Sequence, residues 1–282
     1  MQASMSESHK IIGVHSLKES TQPMSESSVL ASIIEGVLED LQKRLVPSVQ
    51  LREQLDSAPK LRGAYAALNK DGMRLIAEVK RSSPSKGELS AILDPVALAS
   101  SYQTGGADLI SVLTEERRFK GKIADLIAVR AAVDIPVLRK DFIVTEFQVL
   151  ESRILGSDLM LLIVAALAKS QLIDFYQLAT ELGMDVLVEV HDLVEAEVAL
   201  DIGAKIIGVN SRNLKTLEVN DKNFELILPQ LPTTVLKVAE SGISTRSQVA
   251  NVGALGANAV LVGETLVKAG NPVHTINELL NR

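Results

Sequence analysis

Six short stretches of this chain combine residue types that move protons or hold anions: Glu78-Val79-Lys80, Arg139-Lys140-Asp141, Glu189-Val190-His191, Asn210-Ser211-Arg212, Glu240-Ser241-Gly242 and Val262-Gly263-Glu264. Each lies at the end of an apolar run of strand length, and in the first of them alternation puts Glu78 and Lys80 on one face. Considered singly, any of these residues reads as a solvated strand end or a structural ion. Glu78 resists that reading, because Ile76, Glu78 and Lys80 share a face that points either into a strand-lined interior or toward packed helices, and both are dry. A lone buried charge is very expensive, so its partners should be the other charged ends. Lys80 and Lys140 converging with Glu78, Glu189 and Glu240 would have shifted pKa values suited to proton transfer. Gly242 and Gly263 would let backbone N–H groups approach an anion, and Arg212 would add a fork of donors. The polar run Ser82-Ser83-Pro84-Ser85-Lys86-Gly87 reads equally as a mobile lid or a plain surface loop.

The elements that must gather these ends repeat along the chain: a short apolar strand, a polar loop, a helical segment, and a glycine turn into the next strand. The strands are read at Leu75–Lys80, Leu109–Thr114, Ile135–Lys140, Leu159–Val164, Val186–Val190, Ile206–Asn210, Val235–Glu240 and Ala259–Val262. The turns Gly106-Ala-Asp-Leu109, Gly156-Ser-Asp-Leu159, Gly183-Met-Asp-Val186, Gly203-Ala-Lys-Ile206 and Gly256-Ala-Asn-Ala259 each put glycine where a helix end needs a left-handed residue. Such spacing fits a strand plus one crossover helix and leaves little room for hairpins. Eight such units form either a doubly wound sheet or a closed (β/α)8 TIM barrel. The first expects a glycine fingerprint after its first strand, and neither G-x-G-x-x-G nor a P-loop occurs. The barrel is therefore the expected fold. Its strand C-termini form the active face, and the loops after its last two strands often hold phosphate.

Ahead of the repeat, Leu30, Ile33, Ile34, Val37, Leu38, Leu41 and Leu45 recur at helical spacing behind a Ser28 cap, predicting a helix that stops near Pro47. A weaker helix is expected over 49–57, ended by Pro59. A last helix has Asn271 as cap and Pro272 at its first position. Residues 1–28 hold eight serines and read as a disordered leader, with Met24 as a second candidate start. The expected domain is thus 29–282, a barrel with extra N-terminal helices.

Composition narrows the partners. The chain has 282 residues, 46% apolar and 23% charged, which is an ordinary soluble globular balance. A formal charge of −6 with both signs interspersed gives no footprint for nucleic acid or an anionic membrane. The longest apolar run, Leu159 to Ala168, is ten residues, against roughly 20 for a membrane span. Zero cysteines exclude disulfides, thiolate metal sites and cysteine nucleophiles. Of four histidines only His191 falls inside the repeat at a strand end, without a partner at ligand spacing, and it reads as a satisfied strand-end residue. The chain is expected to be cytoplasmic and free of cofactor and metal.

Glu78-Val-Lys80-Arg-Ser-Ser83-Pro84-Ser85-Lys-Gly87 resembles the signature of the indole-3-glycerol-phosphate synthase family, the decarboxylating ring-closure enzymes of tryptophan biosynthesis. Ser111-Val-Leu-Thr114, Pro136-Val-Leu-Arg-Lys140-Asp-Phe142, Leu187-Val-Glu189-Val-His191, Gly208-Val-Asn210-Ser-Arg212-Asn-Leu214, Glu240-Ser-Gly242 and Leu261-Val-Gly263-Glu264 resemble family segments in family order. The resemblance implies Lys140 as general acid on the substrate carbonyl, Lys80 on the substrate carboxylate, and Glu78 and Glu189 in the later dehydration. Asn210 and Glu240 would orient the substrate and the lysines. Ser83, Arg212, Ser241, Gly242, Gly263 and Glu264 would bind substrate, chiefly its phosphate, and Phe142 and Leu214 would line the pocket for the aromatic ring. It implies no cofactor, a phosphorylated small-molecule substrate, and leaves open an association with other tryptophan-pathway enzymes. One departure is Phe119-Lys120-Gly121-Lys122, where family members carry aromatic-x-Gly-Ser; others fall at Ser82 and Glu264, where some relatives have lysine and serine.

Two rival readings stand beside this one. Another phosphosugar barrel, such as a phosphoribosylanthranilate isomerase, would use a catalytic cysteine, which this chain lacks. A catalytically silent ligand-binding barrel would not need the acid and base positions kept intact here.

Overall fold

The computed structural model describes residues 28–89, 92, 94–214 and 216–281; the leader expected over residues 1–28 lies, Ser28 apart, outside the described residues. Eight parallel strands close on themselves: β1 Arg74–Val79, β2 Leu109–Leu113, β3 Val137–Lys140, β4 Leu159–Ile163, β5 Asp185–Val190, β6 Ile206–Asn210, β7 Leu236–Glu240 and β8 Ala259–Val262. Each pairs with the next, and β8 returns to β1 with Arg74 opposite Ala259. Closure settles the choice between barrel and open sheet.

Helices α1 Val29–Gln42, α2 Ser48–Leu55 and α3 Ala64–Leu68 precede the barrel. Around it run α4 Pro95–Thr104, α5 Ile123–Ala132, α6 Glu146–Ile154, α7 Lys169–Glu181, α8 Leu193–Asp201, α9 Lys222–Ile227, α10 Arg246–Ala254, α11 Glu264–Val267 and α12 Pro272–Leu280. No helix among the described residues is long and apolar enough to cross a membrane.

Strand alternation separates two cores. Leu75, Ala77 and Val79 of β1, with Val186, Val188 and Val190 of β5, pack outward against the helices. Ile76, Leu138, Leu161, Leu187, Ile206, Leu236 and Leu261 fill the barrel. The inner core continues into α1 through Leu30, Ile33, Ile34, Val37 and Leu41, each such burial contributing about 1.5–3 kcal/mol. Ser28 caps α1 by accepting from the Ala31 N–H at 3.2 Å.

The glycine turns are as expected, with Gly106, Gly156, Gly183, Gly203 and Gly256 at φ of 76–97°. The polar residue two positions on has its own task at the floor. Asp108 accepts from Leu75 N–H, Asp158 from Val137 N–H and Asn258 from Lys237 N–H, each at 2.9 Å. Each therefore ties the start of its strand to the start of the strand before it. The N-terminal segment also reaches this end, where Asp158 accepts from Arg62 N–H and Asp185 from Tyr65 N–H.

Several boundaries differ from expectation. Helix α1 stops at Gln42, and Leu45, assigned to its apolar stripe, is 40% exposed because the chain has already turned toward Pro47. Helix α2 covers Ser48–Leu55 rather than 49–57. Helix α3, at five residues, is too short to show a period. The polar run after β1 contains a small antiparallel hairpin, Ser82–Ser83 against Gly87–Glu88, held by the Ser82 hydroxyl donating to the Gly87 carbonyl at 2.9 Å. Two residues per strand leave no alternation to read.

Candidate active site

The same alternation that fills the barrel with leucine and isoleucine puts polar groups in its last inward layer. Following Ile76, Leu138, Leu187 and Val238 come Glu78, Lys140, Glu189 and Glu240. Register sets Glu78 beside Ser111, Glu189 beside Gly208, and Glu240 beside Asn210. Two glycines make this layer possible. A side chain at Gly208 would collide with the Glu240 carboxylate, and one at Gly263 would come within 2.6 Å of Glu78 Oε1.

Two ion clusters result. Lys80 Nζ lies 2.7 Å from Glu78 Oε1, and the Ser111 hydroxyl donates to Glu78 Oε2 at 3.4 Å. Across the mouth, Lys140 Nζ lies 3.1 Å from Glu189 Oε2 and 3.4 Å from Glu240 Oε2. Glu78, Glu189 and Glu240 are buried. Neither carboxylate oxygen of Glu240 has a hydrogen bond among the described residues.

Burial on its own would depress the Lys140 pKa, but the charges of Glu189, Glu240 and Glu78 outweigh it and push it up, so the ammonium persists at every working pH. Burial would likewise raise Glu189, yet Lys140, His191 and Asn210 together hold it below its usual range, as a carboxylate. Glu240 goes the other way. Burial dominates, Lys140 opposes it, Glu189 and Glu78 add repulsion, and the pKa rises to about 8. One cluster thus presents a permanent cation, a permanent anion and a carboxyl poised near neutrality, the kind of divergence that assigns acid and base roles.

These groups open onto a cavity of 670 Å³. Leu30 and Ile33 of α1, with Phe119 and Phe142, give it an apolar end, and the two rings stand 6.1 Å apart, tilted at 40°. The other end carries Arg212, Lys86 and Lys268. Glu264 binds both lysines, at 3.1 and 2.8 Å, and the Arg212 guanidinium donates to the Ser85 hydroxyl at 2.9 Å and the Leu217 carbonyl at 2.8 Å. Between these groups β7 ends in two consecutive left-handed residues, Ser241 at φ 69° and Gly242 at φ 73°. Such backbone is costly for serine and concentrates at functional turns.

All fourteen residues singled out from the sequence, Glu78, Lys80, Ser83, Lys140, Phe142, Glu189, Asn210, Arg212, Leu214, Glu240, Ser241, Gly242, Gly263 and Glu264, line this cavity. Gly263 does so beside Glu78, which it makes room for. The sequence reading missed the α1 wall, because periodicity shows that a helix buries a face without showing what it covers. It missed Lys268, whose only signal is its i,i+4 spacing from Glu264. It also set His191 aside, although this ring stands 3.3 Å from Glu189. Lys122 sits at the N-cap of α5 without a side-chain cap bond and outside the cavity lining. Among the described residues, no group of three or more His, Asp or Glu side chains is placed to hold a metal ion.

Comparison with known proteins gives one family, indole-3-glycerol phosphate synthase, matching residues 30–279. The indole-3-glycerol phosphate synthase of Streptomyces griseus is 52% identical over 255 residues, 90% of this chain and 95% of the relative. That of Micrococcus luteus is 52% identical over 252 residues, covering 87% and 94%. Among solved structures, the 3-hexulose-6-phosphate synthase of Salmonella typhimurium superposes with a TM-score of 0.60 at 15% identity, covering 74% of this chain and 97% of its own. At that identity the likeness speaks for the fold alone.

Proposed function

The chain belongs to the indole-3-glycerol phosphate synthase family, and from that premise we propose that it catalyses the family's reaction, closing the pyrrole ring of a carboxyphenylamino deoxyribulose phosphate with loss of carbon dioxide and water. The enzyme is a carboxy-lyase acting on a phosphorylated small molecule.

The cavity's polarity supports one orientation of that substrate. Its aromatic ring suits the apolar end at Phe119 and Phe142, and its phosphate suits the end carrying Arg212, Lys86, Lys268 and the Ser241-Gly242 turn. The ketone carbon then lies near the charged layer. Lys140 donates a proton to the ketone oxygen as the ring carbon bearing the carboxylate attacks, forming the new carbon–carbon bond. The ring–carboxylate bond breaks next, carbon dioxide departs, and its electron pair returns to the ring. Lys80, paired with Glu78, steadies the carboxylate before it leaves. The hydroxyl left at the former ketone carbon departs as water, protonated by an acid while a base removes a proton from the ring system. Glu189 and Glu78 serve that step. Each positioned proton transfer is typically worth about 10²–10⁴-fold. Glu240 and Asn210 orient the substrate, and the buried Glu240 oxygens await its hydroxyl donors.

The observation that carries this reading is the Lys140 ammonium held between Glu189 and Glu240 at the floor of a cavity apolar at one end and cationic at the other. Incubation of the purified protein with the carboxyphenylamino substrate should produce indole fluorescence with equimolar carbon dioxide. Binding without product would favour the silent-barrel reading instead.

A further inference from the structure

His191 directly follows β5 and touches Glu189 through the oxygen that Lys140 does not hold. Its Nε2 lies 3.3 Å from Glu189 Oε1, and its Nδ1 lies 2.9 Å from Glu195 Oε2. The side chain is 11% exposed, and Nε2 is buried without a well-aligned hydrogen bond, so it meets Glu189 as an ion-pair contact. Glu195, in the first turn of α8, is itself fixed, because the His191 backbone N–H donates to the same Oε2 at 2.8 Å and the Asp192 carboxylate accepts from the Glu195 N–H at 2.8 Å. A neutral imidazole has one N–H and can serve only one of two carboxylates, whereas an imidazolium serves both.

We propose that His191, held by Glu195, is a positioning residue for the ring-closure reaction: its imidazolium fixes the Glu189 carboxylate with one oxygen toward itself and the other toward Lys140 and the cavity. The proposal rests on the functional reading above, in which Glu189 serves the dehydration. The charged groups facing the ring are Glu189 on its own strand and Glu195 on α8. Lys140 lies beyond Glu189, Asp192 is turned to the α8 N-terminus, and Asn223 reaches only the His191 carbonyl, at 3.3 Å. Burial alone would lower the ring's pKa, but the hydrogen bond to Glu195 and the close negative charge of Glu189 prevail and raise it to about 10. His191 therefore stays charged through the neutral range.

Glu195→Gln separates this role from simple helix capping, because the amide oxygen still accepts from the His191 N–H while the negative charge is lost. In this variant the ring should titrate within the working range, so kcat should fall about tenfold as pH rises from about 6 to about 9, with KM changed less than about twofold. Any limb from Glu240 is common to both proteins, so the fall is read as the ratio of the variant's kcat to the parent's at each pH. His191→Gln should lose about tenfold or more in kcat across the whole window. A Glu195→Gln profile superimposable on the parent's, or a loss equal at every pH, would overturn the proposal. Should the variants fail to fold, imidazole NMR on the parent protein decides: His191 protonated through about pH 8 supports the proposal, and titration near the ordinary value of about 6.5 defeats it. An inactive parent would instead count against the functional reading, and the same NMR titration would still judge the His191 geometry.

Discussion

A carboxyl that titrates near neutrality inside a barrel leaves a mark on stability as well as on chemistry. Folding lifts the Glu240 pKa from its ordinary 4.5 to about 8, through burial first and the neighbouring Glu189 and Glu78 next, against the pull of Lys140. Between those values the folded chain binds more protons than the unfolded one, so this contribution to stability is present at low pH and is lost as pH rises through about 8. Glu240→Gln removes the titration, and its urea midpoint should fall less than the parent's between about pH 5 and pH 9. Parallel curves would contradict the assignment. The glycine beside it makes a second claim. Gly208→Ala puts a methyl group where the Glu240 carboxylate lies, so the carboxylate must move. Displacements of about 1 Å at reacting groups can cost about 10²-fold, and steady-state kinetics on the variant should show a loss of that order in kcat. Unimpaired turnover would mean that the Glu240 position is not critical.

Secondary-structure elements divide the work between the two ends of the barrel. The Asp158 carboxylate is buried at the floor, where it accepts from Val137 and Arg62 N–H groups and pairs with Arg130 at 2.9 Å. Breaking a buried pair strands its partner, so Asp158→Ala should cost about 3–5 kcal/mol in denaturant unfolding. Its kcat below the melting transition should stay at the parental value, since the cavity opens at the other end. Unchanged stability, or a loss of kcat below the melting transition, would contradict this division. At the mouth, Lys122 stands at the N-cap of α5 without a capping bond. Lys122→Ser supplies an acceptor for the orphan N–H groups and removes a cation from the positive end of the helix, and should gain about 1 kcal/mol by thermal unfolding. No gain would mean that these N–H groups are already satisfied by water. The strands were legible in the sequence because an apolar run of strand length recurs eight times, five times behind a left-handed glycine turn. Helix α3 and the hairpin after β1 were not, because they are too short to express a period.

Over the whole molecule, the strand-end residues were legible because a closed barrel makes sequence-distant C-termini neighbours: Glu78, Lys140, Glu189 and Glu240 lie on four strands and meet in one layer. The α1 wall was hidden, because it depends on which helix folds over the mouth; the His191–Glu195 pair is local, but its spacing straddles a strand end and a helix start and follows neither period. On the proposed function this layer performs the chemistry while the cavity's two ends bind the substrate. Lys140→Ala separates the two, with turnover followed by indole fluorescence and affinity by titration of the carboxyphenylamino substrate against the same protein. Affinity should stay within a few-fold of the parent's while kcat falls by about 10²–10⁴-fold. Turnover at the parental rate would remove Lys140 from the mechanism.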